Sequence, residues 1–119
     1  MRCLLDTNFF LIPNQFGVDI FELLKDYEIV TLSSCMDELK KLSKTKGKDG
    51  KAARIALQLI KEKNIEVIES NEKGDKAILN YALREKCVVG TNDKELIKAL
   101  KNKGIKIIRL RQKRYLTEE

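Results

Sequence analysis

Histidine is absent from the sequence. That excludes Ser-His-Asp and Cys-His nucleophile systems, His-based phosphodiester cleavage and HExxH metal sites. Acid–base or metal chemistry in this chain must use carboxylates, lysine, tyrosine or cysteine. Cysteine is scarce: Cys3, Cys35 and Cys87 are scattered and form no CxxC pair. Neither a zinc knuckle nor a redox motif is supported, and buried reduced thiols are the expected role. No apolar run approaches the ~18 residues that a transmembrane helix needs. The N-terminus lacks a charged segment followed by a long apolar stretch, so no signal peptide is read and a cytoplasmic location is expected.

What is present fits one compact domain. A chain of 119 residues with 43% hydrophobic content can bury a core without covalent staples. The net charge is +6, from 24 basic and 18 acidic residues. Such a balance suits an anionic partner, nucleic acid first, although a heavily charged thermophile-type surface gives the same total.

Short apolar runs alternate with helical periodicity along the chain. Strands are predicted at Arg2–Leu5, Glu28–Leu32, Glu66–Ile68, Cys87–Gly90 and Ile105–Leu110. Helices are predicted at Val18–Lys25, Ser34–Ser43, Lys51–Lys63, Asp75–Lys86 and Asp93–Lys103. Ser33 or Ser34 is the expected N-cap of the second helix. Lys44–Gly50 reads as a basic, glycine-bearing loop. Strict alternation of strand and helix predicts an α/β domain, a mainly parallel sheet with helices on both faces. Ligands of such sheets bind beyond the carboxyl ends of the strands. Asp6 follows the first strand, and Thr91, Asn92 and Asp93 follow the fourth, so both groups belong to one sheet edge.

Four acids stand out by geometry. Asp93 has Leu96, Ile97 and Leu100 at offsets of three, four and seven, which places it on the core-facing stripe at a helix start. Asp75 repeats this with Ile78, Leu79 and Ala82. Glu38 borders the stripe of its helix, whereas Asp37 lies opposite it. Asn92 and Glu95 form a capping-box spacing, which leaves Asp93 free. An acid at a helix start is often a cap, and for Asp75 that reading stays open. Asp6 ends a buried strand, where a carboxylate needs partners. Acids converging on one edge repel one another unless a cation neutralises them. Hard oxygen ligands without histidine suit Mg²⁺ or Mn²⁺. Such an ion on carboxylates can activate water and stabilise charge at phosphorus, so the residues point to metal-dependent phosphodiester hydrolysis.

The segments LLDTNFF, SSCMDELKKL, KGDKAIL and VVGTNDKELIKAL together resemble the PIN-domain nucleases. The resemblance implies a three-layer α/β/α fold with a five-stranded parallel sheet of order 3-2-1-4-5. It implies a nuclease domain over residues 1–110 and a basic C-terminal tail over 111–119. It places the four family acids on Asp6, Glu38, Asp75 and Asp93, and the small polar residue before the last acid on Thr91 or Asn92. The implied activity is Mg²⁺- or Mn²⁺-dependent endonucleolytic cleavage of single-stranded RNA. On this reading Asp6, Asp75 and Asp93 hold the metal, and Glu38 completes the cluster or orients the attacking water. Thr7, Asn8, Thr91 and Asn92 would hydrogen-bond the acids or metal-bound water. Many relatives carry a second aspartate after the third acid, where Lys76 stands here.

The stretches LLDTNFFLIPNQFGVDIF and IKIIRLRQKRYL are similar to a narrower branch. It includes small-subunit ribosomal RNA processing endonucleases and VapC-like toxins of toxin–antitoxin pairs. The implied partners are RNA, a second copy in a homodimer, and either an antitoxin or a pre-ribosomal particle; no membrane is implied. Lys44, Lys46, Lys48 and Lys51 could contact the RNA backbone. Arg109, Arg111, Lys113 and Arg114 form a second basic run, with Tyr115 available to stack on a base. The alternatives are a non-catalytic RNA-binding or scaffold PIN domain, and an acid-cluster phosphotransfer domain.

Overall fold

The computed structural model describes residues 1–119. Six strands form one sheet: β1 (Arg2–Leu5), β2 (Glu28–Leu32), β3 (Glu66–Ile68), β4 (Val88–Gly90), β5 (Ile107–Arg111) and β6 (Tyr115–Glu118). Their order is 3-2-1-4-5-6. The first five are mutually parallel, and β6 returns antiparallel to β5. The helices are α1 (Ile12–Phe16), α2 (Ile20–Leu23), α3 (Ser33–Ser43), α4 (Lys48–Glu62), α5 (Gly74–Glu85) and α6 (Lys94–Asn102). A 3₁₀ turn over Asn8–Leu11 precedes α1. No helix is long and apolar enough to cross a membrane.

The strand side chains alternate between two cores, as the period of two requires. Cys3 and Leu5 feed the core under the 3₁₀ turn and helices α1, α2 and α4, which Leu39 of α3 joins. Leu4 feeds the core under α5 and α6. Val88 and Val89 divide in the same way. Being covered on both faces, β1 and β4 are continuous apolar runs. In α6, Leu96, Ile97 and Leu100 are buried while the remaining face is charged, the pattern of a helix lying on a sheet. In α4, Ala52, Ala53 and Ala56 are buried, and such small side chains let its backbone approach its neighbours closely.

The sheet differs from the expected five strands by the addition of β6. Residues after Leu110 turn through Gln112 and Lys113, both with positive φ, and Tyr115–Glu118 pairs back along β5. Leu116 packs on the first core. The Glu119 carboxylate accepts hydrogen bonds from Lys101 at 2.7 Å and Arg111 at 2.8 Å, and these cations hold it down at about pKa 2. The predicted Val18–Lys25 helix is confined to Ile20–Leu23, capped by the Asp19 side chain. Neither the 3₁₀ turn nor α1 was anticipated.

The expected loop over Lys44–Gly50 is shorter, because α4 starts at Lys48. Gly50 explains the tightness: a Cβ there would stand 2.0 Å from the Thr45 carbonyl oxygen. Arg54 donates to the Ser43 carbonyl at 2.8 Å and so holds the end of α3. Neither Ser33 nor Ser34 caps α3. Leu32 occupies that position without a side-chain bond, and the Ser33 hydroxyl accepts from the Ser70 N–H at 2.9 Å instead.

Gly90 ends β4 where no side chain fits. A Cβ there would lie 2.4 Å from Leu5 Cδ2 and 3.3 Å from the Phe9 ring. Both neighbours are fully buried. Gly90→Ala is expected to lower stability by about 1–3 kcal/mol, the usual cost of overpacking. Urea denaturation measures it; an unchanged midpoint would mean that Leu5 repacks freely.

Candidate functional site

Just beyond the apolar strand β1, the Asp6 N–H still joins the sheet by donating to the Gly90 carbonyl at 3.2 Å. The chain then leaves the sheet in the 3₁₀ turn, and the Asp6 side chain serves both elements. Its Oδ1 accepts from the Phe9 N–H at 2.9 Å. Its Oδ2 accepts a short hydrogen bond from the Thr91 hydroxyl at the end of β4. Thr91 is fully buried, and its oxygen also accepts from the Asp93 N–H at 3.1 Å. One threonine therefore ties the end of β1 to the start of α6.

Asp6, Glu38, Asp75 and Asp93 line one cavity of about 180 Å³, together with Thr7, Asn8, Cys35, Gly74 and Ile78. Its place is the carboxyl edge of the sheet, where the order reverses between β1 and β4. Asp6 is 7% exposed and forms the floor, while Glu38, Asp75 and Asp93 stand at the open rim. Burial pushes the Asp6 carboxyl up to about 6; its bonds from Thr91 and Phe9 oppose the rise, and Asp93 and Asp75 add to it. Asp75 is raised as well, first by burial and then by Asp93.

Two expectations about individual acids change. Asp93 is itself the N-cap of α6, with Oδ1 accepting from the Leu96 N–H at 3.0 Å, so it is not freed by a cap at Asn92. Asn92 faces the other way. Its Oδ1 accepts from the Leu110 N–H at 2.8 Å, which clips the loop to β5. Both residues are good caps, and the β5 backbone claims Asn92. Asp75 occupies the first turn of α5 without a capping bond. Asp37 does not line the acid cavity, and neither does Lys76.

The supporting residues divide. Thr7 and Asn8 border the cavity, Thr91 works beneath Asp6, and Asn92 is a structural clip. Cys35 borders the cavity too, which its sequence context did not reveal. Burial raises its thiol, so it contributes no charge there. The other two thiols are buried and raised to about 12 at Cys3 and about 11 at Cys87. Among the basic candidates, Lys44, Lys46 and Lys48 surround the start of α4 and are exposed. Arg111 is held by Glu119, the Lys113 ammonium lies 5.9 Å from the Phe16 ring centre, and Arg114 donates to Gln112.

The cavity's charged donors are carboxylates alone, which fits a hard divalent cation. The burial of Asp6 among other acids fits it as well, because an ion would offset their repulsion. No three of the acids stand close enough together to enclose an ion. Glu38 and Asp75 are exposed and make no side-chain hydrogen bond, whereas Asp93 is held by its capping bond.

A family model described as a PIN like domain matches residues 3–113. The chain belongs to the PIN-like domain family. Ribonuclease VapC4 of Methanocaldococcus jannaschii is 39% identical, over 92% of this chain and 90% of that protein. Ribonuclease VapC9 of Archaeoglobus fulgidus is 32% identical, over 90% of this chain and 82% of that protein. Among solved structures, VapBC2 from Rickettsia felis bound to a DNA fragment from their promoter gives a TM-score of 0.66 at 21% identity. It covers 93% of this chain and 100% of that one. A domain of a functionally unknown protein from Methanocaldococcus jannaschii gives a TM-score of 0.66 at 17% identity, covering 92% and 91%. The structural likenesses carry the fold; the two sequence relatives carry the family of this PIN-like domain.

Proposed function

We propose that this PIN-like domain is a divalent-metal-dependent endoribonuclease of the VapC type, acting on single-stranded RNA. The observation that carries the reading is the convergence of Asp6, Glu38, Asp75 and Asp93 on one cavity at the sheet edge. Ribonuclease VapC relatives at 39% and 32% identity support the substrate class. They favour a toxin-type ribonuclease over ribosomal RNA processing, and with it an antitoxin as protein partner.

Asp6, Asp75 and Asp93 would hold Mg²⁺ or Mn²⁺, with Glu38 completing the set. A bound ion would lower the pKa of water and stabilise negative charge on the phosphoryl oxygens. The chain's own contribution is placement. Thr91 and the Phe9 N–H fix both oxygens of Asp6, and the capping bond fixes Asp93. Glu38, at the rim, would orient a water toward a phosphate.

The test is cleavage of labelled single-stranded RNA with Mg²⁺, Mn²⁺ or EDTA, by wild type and Asp93→Asn. Cleavage is expected only with metal, and the variant should lose at least about a hundredfold in rate. Folded wild type that leaves several RNAs intact with either metal would sink the reading in favour of a scaffold domain.

A further inference from the structure

Beside the acid cavity lies a second groove, of about 250 Å³, lined by Ser34, Asp37, Glu38, Lys40, Lys41 and Lys73. No hydrophobic residue lines it. The two depressions share Glu38. Lys73 immediately precedes Gly74 and Asp75, which line the acid cavity, so the groove adjoins that cavity at two separate elements.

The charge in this groove is not spent internally. Three lysines face two carboxylates, yet none of Lys40, Lys41 and Lys73 forms an ion pair within the molecule. The start of α3 opens into the same space. Its cap position, Leu32, supplies no side-chain acceptor. Ser34, in its first turn, is 8% exposed, and its hydroxyl has no hydrogen-bond partner and is not sealed from the groove. An open hydroxyl without a partner and three unpaired ammonium groups, outnumbering the two carboxylates beside them, supply donors for an oxyanion. The basic run continues along the chain from Lys40 and Lys41 to Lys44, Lys46, Lys48 and Lys51, none of them ion-paired.

We infer that the groove of Ser34, Lys40, Lys41 and Lys73 is a backbone-phosphate subsite for single-stranded RNA, holding the strand beside the nucleotide that enters the acid cavity. The inference rests on the nuclease reading for the direction of the strand, but its chemistry is binding alone and can be measured without cleavage. The ligand class is the phosphodiester backbone. No aromatic side chain lines the groove to stack on a base, and lysine contacts to phosphate carry no sequence information.

The experiment is equilibrium binding of a short labelled single-stranded RNA in EDTA, across a salt series. It compares the wild-type chain with Lys73→Gln, Lys40→Gln/Lys41→Gln, the triple variant and Ser34→Ala. Each lost lysine contact should lower the slope of log K against log salt by about 0.7, which is roughly fivefold in affinity at 0.1 M salt. Ser34→Ala should weaken binding without changing the slope, because it removes a neutral donor. Lys73→Arg should restore affinity, and Lys61→Gln, at the far end of α4, should change nothing. Melting temperatures should match wild type throughout.

If the triple variant keeps wild-type affinity and slope, the subsite is wrong, whether or not the protein cuts RNA. If the lysine variants lose binding as stated but no metal supports cutting, the nuclease reading falls and the subsite stands. Wild type that does not bind single-stranded RNA overturns the subsite.

Discussion

Asp6→Asn is expected to abolish metal-dependent cleavage and at the same time raise the melting temperature of the metal-free protein at pH 8. The second half follows from the burial of Asp6. Its carboxyl is pushed up to about 6 in the folded chain, from 3.8 as the ordinary value. The folded state therefore holds this proton more tightly than the unfolded state, and ionisation opposes folding. The cost is absent below pH 3.8, grows between 3.8 and 6, and is complete above 6. At about 1.4 kcal/mol per pH unit, the full cost is on the order of 3 kcal/mol.

Asparagine removes that charge while keeping an oxygen for the Phe9 N–H. The variant should gain several degrees at pH 8, and the gain should shrink as the pH is lowered toward 4. Scanning calorimetry at several pH values in EDTA measures it. A variant that melts below wild type at pH 8 would show that the Thr91 bond to the second carboxylate oxygen outweighs burial. Stability lost to a functional charge is a general pattern, and here the charge is single and named.

Thr91→Val should be nearly as damaging, without touching the rim of the cavity. It deletes the hydroxyl that donates to Asp6 and accepts from the Asp93 N–H, both inside the protein. Losing a hydrogen bond to a buried carboxylate costs about 1.5–3 kcal/mol, and an N–H is left without its partner as well. The Asp6 carboxyl should rise further, since the Thr91 bond is the larger of the two that hold it down. The acidic limb of the pH–rate profile should move to higher pH, and the rate at neutral pH should fall by about ten- to a hundredfold. Thr91→Ser keeps the hydroxyl and should restore the profile. A valine variant with an unshifted acidic limb would remove Thr91 from any role in setting Asp6.

The contrast between Asp6 and Asn92 shows what was legible in the sequence. An apolar run that ends in a carboxylate has few structural explanations, so MRCLLDTN announced its own site. The α/β order was equally plain, because strands covered on both faces lack polar alternation and the helices between them have clear stripes. Asn92 and Asp93 are both good caps standing side by side, and local spacing favoured the wrong one. A hydrogen bond to Leu110 decided between them, from 18 residues away. The sixth strand was hidden because RQKRYLTEE has no apolar rhythm and its turn residues, Gln112 and Lys113, are not turn formers. Its anchors are Leu116 on the core and Glu119 among three cations. The groove of lysines was invisible for a similar reason, since Lys73 joins Lys40 and Lys41 only when α5 docks beside α3.

The central place of β1 in the sheet has a consequence for the order in which the chain can fold. β1 meets β2 nearby in the chain, but its other edge needs β4, and the Thr91–Asp6 bond closes a span of 85 residues. Closing so long a loop is slow compared with forming local contacts. Until it closes, Cys3, Leu4 and Leu5 present an unpaired apolar edge, which a growing chain must keep from other strands. Asp6 stays solvated during that time, and Asp75 and Asp93 are too far away to raise its pKa. The acid cluster exists only once β1 and β4 are paired, so a truncated or half-folded chain carries the four carboxylates without the site.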